Sequence, residues 1–238
     1  MKATQVSDNI IQLKRAKFVS GYLVREDDGF TLIDTCLPGS AAGLIAGARA
    51  AGGEIRRIAL THGHGDHVGS LDALREKLGN EVTVLMGELD ARIHGGEKVI
   101  EGKLPGSWPK IKTTPDVRLK DGDTVGSLTV VASPGHSPGH VSFFDPRDRT
   151  LIAGDAFTAV GGVAIPAHFF LRFPLAAMAT WDKAKAVESA RALRALEPAV
   201  LVCGHGPVVR ENPGAAIEQA IARAERAGVT SKSAPAAS

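Results

Sequence analysis

Residues 61–67 read Thr-His-Gly-His-Gly-Asp-His, which places three of the chain's eight histidines and an aspartate within six positions. Imidazoles crowded in this way repel when protonated, unless a cation or neutral rings resolve the conflict. A capping role for Asp66, with the histidines solvated in a turn, would explain one such residue and not four together. The segment RRIALTH (56–62) reads as a short buried strand, and Val68, Leu71, Leu74 and Leu78 fall on one face of a helix starting just after Asp66. The cluster therefore sits at a strand-to-helix turn. Separated by one residue at the end of an extended strand, His62 and His64 project to the same side and can grip one ion. Asp66 and His67 follow where the backbone turns, with glycines keeping the space open, and can aim at a neighbouring point. The spacing predicts one ligand pair for each of two metals.

The rest of the chain alternates short β-branched or aromatic runs with alanine- and leucine-rich stretches. KFVSGYLV (17–24) and GFTLIDT (29–35) read as adjacent strands joined by the turn REDDG, and VTVLM (82–86) as another short buried strand. A helix is predicted over 39–51, stopped by Gly52-Gly53. In the second half, LTVVASPGH (128–136), HVSFFDP (140–146) and TLIAGDA (150–156) read as strands, with the turn DPRDR between the last two. A helix follows from about Thr180 to Leu196, stopping at Glu197-Pro198, and then the strand AVLVCGH (199–205). The closing helix has Asn212 as its N-cap, Pro213 at its first position, Ile217, Ala220, Ile221 and Ala224 on one face, and Gly228 past its end. Residues 95–116 lack periodicity and hold three prolines and four glycines, so they read as a long surface loop of the kind that often carries function. Four more candidates lie beside glycine or proline where apolar runs end: His136 and His140 in SPGHSPGH, Asp155 in IAGDAF and His205 in VCGHGP.

A chain of 238 residues suffices for one α/β domain with a full core, expected over residues 1–229, with 230–238 as a disordered tail. Apolar residues make up 44% of the chain, charged residues 23%, and the net charge is +2, so no strong field points to nucleic acid or a membrane surface. The expected partner is a small-molecule substrate, and nothing in the pattern specifies an oligomeric state. The opening segment has no apolar run of signal-peptide length, and no stretch approaches the roughly 20 apolar residues of a spanning helix. The expected location is the cytoplasm. Cys36 and Cys203 lie far apart without CxxC spacing, and read as two buried thiols.

Together, His62-x-His64-x-Asp66-His67, His136, Asp155 and His205 resemble the complete dinuclear ligand set of the metallo-β-lactamase-fold hydrolases, in the glyoxalase II and lactonase-like branch. The resemblance runs from Asp34 to His205. It implies an α/β (α+β) chain folded as a four-layer αββα sandwich, two mixed sheets with helices on both outer faces. It also implies that His62, His64 and His136 hold one metal, that Asp66, His67 and His205 hold a second, and that Asp155 bridges them. Nitrogen and oxygen donors without thiolate suit two divalent ions, zinc foremost, with iron or manganese also accommodated. Such a pair lowers the pKa of a bridging water and stabilises an oxyanion. Asp66 is then the catalytic candidate, orienting the hydroxide and later carrying its proton to the leaving group.

Departures within the superfamily narrow the substrate. Metallo-β-lactamases lack the bridging aspartate and are exported. Hydroxyacylglutathione hydrolases add a helical C-terminal region that binds glutathione, whereas only a short stretch follows His205 here. Acyl-homoserine lactone lactonases carry a tyrosine shortly after that aspartate, where this chain reads GDAFTAV and its one tyrosine is Tyr22. RNA-cutting members need an RNA-binding arm and a basic patch, and neither is visible. The expected activity is hydrolysis of a small ester, lactone or thioester through a metal-bound hydroxide. Beside it stand a sulfur dioxygenase of the same fold, using one iron, and a non-catalytic protein whose ions only hold two half-domains together.

Other residues have two readings each. His140 reads as a hydrogen-bonding support rather than a ligand. Asp34 either orients a ligand histidine or caps a turn. The roles of His94 and His168 stay open. HFFLRF (168–173) either lines an apolar acyl pocket or packs under a loop, and Cys203 reads as a small buried hydrophobe.

Overall fold

The computed structural model describes residues 1–16, 18–168, 170, 173 and 175–229. The tail expected over 230–238 lies outside the described residues. The first half contains β1 (Lys2–Gln5), β2 (Ile10–Arg15), β3 (Val19–Glu26), β4 (Gly29–Ile33), α1 (Ala41–Ala50), β5 (Ile55–Leu60), α2 (Gly65–Val68), α3 (Leu71–Leu78), β6 (Thr83–Gly87), α4 (Glu88–His94) and β7 (Val117–Leu119). In the second half come β8 (Thr124–Val125), β9 (Leu128–Ala132), β10 (Val141–Asp145), β11 (Thr150–Ile152), α5 (Leu175–Met178), α6 (Lys183–Ala195), β12 (Val200–Val202) and α7 (Pro213–Arg226).

Among the described residues the strands form two mixed sheets. One has seven strands in the order β1-β2-β3-β4-β5-β6-β7, antiparallel from β1 to β4 and parallel from β4 to β7. The other has five in the order β12-β11-β10-β9-β8, with only β11 and β12 parallel. Strand periodicity assigns side chains to alternate faces. In β3, Leu23 points to the layer of α1 and α3, while Tyr22 and Val24 point between the sheets. Ile58 and Leu60 of β5 flank Ala59 in the same way. In the second sheet, Leu151 and Leu201 pack toward α6 and α7, and their neighbours Ile152 and Val202 enter the space between the sheets. Three apolar layers therefore alternate with the four structural ones, giving the αββα sandwich.

Most expected elements are present with trimmed ends. The single helix expected after Asp66 is instead broken at Gly69-Ser70, because the Ser70 hydroxyl donates to the Leu37 carbonyl and accepts from the Ser40 N–H. The helix expected from Thr180 starts at Lys183, where Asp182 accepts from the Lys185 N–H as N-cap. Asn212 caps α7 as expected. The strands β1, β2, β7 and β8 and the short helices α4 and α5 carry no periodic signal strong enough to announce them. No helix or strand interrupts 95–116.

The sheets meet at the edge that carries the candidate residues. There the Val141 N–H donates to the Thr61 carbonyl and the Ser20 N–H to the Gly204 carbonyl, so a turn leaving each sheet is pinned to a strand of the other. Phe143, fully buried between the sheets, is the largest contributor from β10 to this packing. Phe143→Ala should lower unfolding free energy by about 3–5 kcal/mol, read from the midpoint and slope of a urea transition.

Candidate metal centre

The structure brings all seven sequence-predicted donors together at that edge. His62, His64 and His136 form one group, Asp66, His67 and His205 another, and Asp155 joins His62 and His67 in a third combination between them. In the first group, His64 Nδ1 lies 3.1 Å from His62 Nε2 and 3.0 Å from His136 Nε2. In the second, His205 Nε2 is 3.2 Å from Asp66 Oδ2 and His67 Nε2 is 3.9 Å from it. Asp155 reaches both: Oδ1 is 3.5 Å from His67 Nε2, and Oδ2 is 3.5 Å from His136 Nε2 and 3.2 Å from His205 Nε2.

The far side of each ring fixes which nitrogen faces inward. The Thr61 hydroxyl donates to Asp34 Oδ2 at 2.8 Å, so it can only accept from His62 Nδ1–H, 3.0 Å away. His67 Nδ1–H donates to Asp34 Oδ2 at 2.7 Å. His136 Nδ1–H donates to the Thr180 hydroxyl, which itself donates to the Ala176 carbonyl. His205 Nδ1–H donates to the Phe18 carbonyl. Each of these four rings thus turns its Nε2 toward the cluster.

Asp34 is the orienting residue among its two readings, and it is buried in the left-handed region at φ +61°. Its other oxygen accepts the Thr61 N–H, so one carboxylate holds both the strand end and His67. His140 supports Asp155: its Nε2 accepts the Asp155 backbone N–H, and its Nδ1–H goes to the Ser133 hydroxyl.

This donor set fits metal ions. His62 Nε2 and His136 Nε2 both face His64 Nδ1, which can carry a hydrogen toward one of them at most, leaving lone pair against lone pair. Three nitrogens bound at about 2.0–2.1 Å to one tetrahedral ion stand roughly 3.3 Å apart, close to this spacing. His67 Nε2 and Asp155 Oδ1 are buried and lack any hydrogen-bond partner. Cations held by the donor groups would satisfy these atoms.

Charge divides the site. Burial pushes His62 and His136 well below the usual imidazole range and His64 down to about 4, so the first group is neutral. Burial also opposes protonation of His67, but Asp34, Asp155 and Asp66 outweigh it and raise the ring well above its ordinary value. His205 is raised to about 10, burial again losing to Asp155 and Asp66. Against its own burial, Asp66 is drawn down to about 2 by His67 and by its bond with His205.

Helix α4 supplies one residue that the sequence did not reveal, Asp90, and a role for His94, which the sequence left open. Asp90 is wholly buried and accepts from the Gly63 N–H at 3.0 Å, the Ser137 hydroxyl at 2.6 Å and the Gly139 N–H at 2.6 Å. One turn later His94 Nε2 donates to the Gly63 carbonyl at 2.9 Å. The peptide between His62 and His64 is thus held on both sides, and the same carboxylate ties it to the loop of His136. Glycine is required here by contact: a Cβ on Gly139 would lie 2.3 Å from the Asp90 N, and one on Gly63 2.4 Å from Trp108. Trp108, in the loop over 95–116, stands edge-on to the His64 ring at 5.1 Å. HFFLRF lies partly outside the described residues; of its described part, Phe173 lies 5.0 Å from the His205 ring, and His168 joins none of the donor groups. Both cysteines are buried thiols.

A sequence model of the metallo-beta-lactamase superfamily matches residues 15–205, a span that includes every donor. The chain belongs to the metallo-beta-lactamase superfamily. Within the superfamily it is 42% identical over 214 residues to the uncharacterized protein YobT of Bacillus subtilis (strain 168), covering 87% of this chain and 91% of that protein. It is 30% identical over 225 residues to the probable metallo-hydrolase YflN of the same organism, covering 85% and 84%. The hydroxyacylglutathione hydrolase of Rhodopseudomonas palustris (strain ATCC BAA-98 / CGA009) is 32% identical over 145 residues, only 49% of its own length and 59% of this chain. Among solved structures, TTHA1623 in a di-iron-bound form matches with a TM-score of 0.62 at 28% identity, covering 84% of this chain and 92% of that one. DIM-1 metallo-beta-lactamase, at 16% identity and a TM-score of 0.69 over 95% and 97%, shares the fold.

Three outcomes follow from this metallo-beta-lactamase superfamily site. Asp90→Asn turns an amide N–H toward one of three donors and should weaken metal binding by the first group about 10–100-fold, measured by chelator competition. Metal loading at pH 6, below the roughly pH 7 at which a metal-bound water ionises, should release about two protons, from His67 and His205, and none from the first group, read with an indicator dye. A proton on His205 competes with the cation, so affinity of the second group should climb as pH rises toward about 10.

Proposed function

We propose that this chain is a dinuclear metal-dependent hydrolase of a small ester, lactone or thioester. The observation that supports this most directly is the pair of converging donor groups with Asp155 reaching into both. His62, His64 and His136 would hold one ion, Asp66, His67 and His205 the other, with zinc the best match to a nitrogen and oxygen donor set. Divalent cations held there would lower the pKa of a water between them and polarise the carbonyl under attack.

The chain's own residues divide the remaining work. Asp66 is the open member of the set, its side chain 33% exposed while those of His67, His136, Asp155 and His205 are 7% or less. A carboxylate so placed can accept a hydrogen bond from the attacking water, hold its proton at Oδ, and return it to the leaving oxygen or sulfur as the acyl bond breaks. Asp34, Thr61 and Thr180 keep the imidazoles in the tautomer that presents Nε2, so no reorganisation is needed during the reaction. Phe173 and Phe18 put aromatic rings beside His205, 5.0 and 6.4 Å from its own.

The deciding measurement is elemental analysis of untagged protein beside His62→Ala, followed by an ester, lactone and thioester panel. About two zinc or manganese per chain, reduced in the variant, with chelator-sensitive hydrolysis supports the reading. One iron per chain with oxygen uptake replaces it by sulfur dioxygenation. Asp66→Ala should lower turnover by about 10²–10⁴-fold, and near-normal turnover with both metals retained removes the proton-carrying role.

A further inference from the structure

Asp66 also lines a cleft of about 530 Å³ that no other member of the donor set lines. The floor is the single turn of α2, bare because Gly65 and Gly69 carry no side chains; a Cβ on Gly69 would lie 2.5 Å from Pro38 Cδ, and one on Gly65 3.2 Å from Ser107 Oγ. Leu37 and Pro38 make one wall, Pro109 and Ile111 the other. The second wall is held to the floor by the Gly65 N–H, which donates to the Ser107 carbonyl at 2.9 Å. Asp72, which also lines it, is occupied by the N–H groups of Lys112 and Thr113 and by the Thr113 hydroxyl. Among the described residues that line the cleft, Lys110 is the one cation against the two carboxylates Asp66 and Asp72.

We propose that this cleft holds the aliphatic acyl chain of the substrate, so that the preferred ester, lactone or thioester carries a neutral straight chain on its carbonyl side. A cavity of this size and lining buries most of a small organic ligand. Its charge balance disfavours an anionic tail, and its apolar walls reward each methylene taken out of water. Asp66 fixes the direction of the chain, since it belongs both to the cleft and to the second donor group. The placement of the reacting carbonyl rests on the hydrolase reading above; affinity of the cleft for the chain does not.

Two assays separate these. With metal-loaded protein and p-nitrophenyl esters from acetyl to octanoyl, kcat/KM should rise about fourfold per methylene until the cleft is full, the equivalent of about 0.8 kcal/mol each. Ser107→Trp, a change at an exposed position on the rim, should bring the octanoyl-to-acetyl ratio near one. Independently of turnover, straight-chain alcohols from ethanol to octanol, followed by the methyl NMR shifts of Val68 and Ile111, should show the same gain per methylene. Flat affinity across the alcohols in the wild-type protein overturns the proposal, as does a flat ester series in an active enzyme. Chain-length-dependent binding of the alcohols without hydrolysis of any ester, lactone or thioester supports the cleft as an aliphatic site and sinks the hydrolase reading.

Discussion

Buried imidazoles can point their lone pairs at one another only if each carries its proton on the opposite nitrogen, and each such proton needs an acceptor. That requirement organises this protein outward from its histidines. Asp34 and Thr61 at the ends of β4 and β5, Thr180 before α6 and the Phe18 carbonyl before β3 each supply one acceptor. These four partners come from distant parts of the chain. They converge because the sandwich brings the ends of both sheets to one edge, where interstrand and interloop hydrogen bonds hold them.

The arrangement is stabilising only as a whole. Removing one acceptor leaves a buried N–H unpaired, at a cost of about 1–3 kcal/mol, and lets the ring turn over. Asp34 carries the greatest load of this kind, since its two oxygens serve the Thr61 backbone, the Thr61 hydroxyl and His67. A non-glycine residue in the left-handed region costs about 1–3 kcal/mol, and here that strain is offset by three hydrogen bonds formed out of reach of water.

The donors were legible in the sequence because four of them occupy six consecutive positions and the others sit in glycine-flanked turns after apolar runs. The supports were not. Asp90 lies in a short helix without hydrophobic periodicity, and its partners are 27, 47 and 49 residues away, a separation no local pattern encodes. Thr180 reads as the start of a helix, and only the packing shows it under His136. Asp34 and His140 stood in the right turns, but choosing between a structural and an orienting role required the distances to His67 and Asp155. The break between α2 and α3 escaped for a similar reason: it depends on Ser70 meeting the Leu37 carbonyl from another loop.

The donors are also shared unequally between the two halves. His62, His64, Asp66 and His67 extend from the seven-stranded sheet, and His136, Asp155 and His205 from the five-stranded one. Any cation held by either group is therefore a cross-link over the seam of the sandwich, comparable in effect to a staple between half-molecules. Mass action then couples fold stability to ion supply, by about 2.7 kcal/mol when the free ion stands a hundredfold above its dissociation constant. Scarcity of such an ion would loosen the join between the halves, so the residues that converge at the centre would also set how firmly the two sheets hold together.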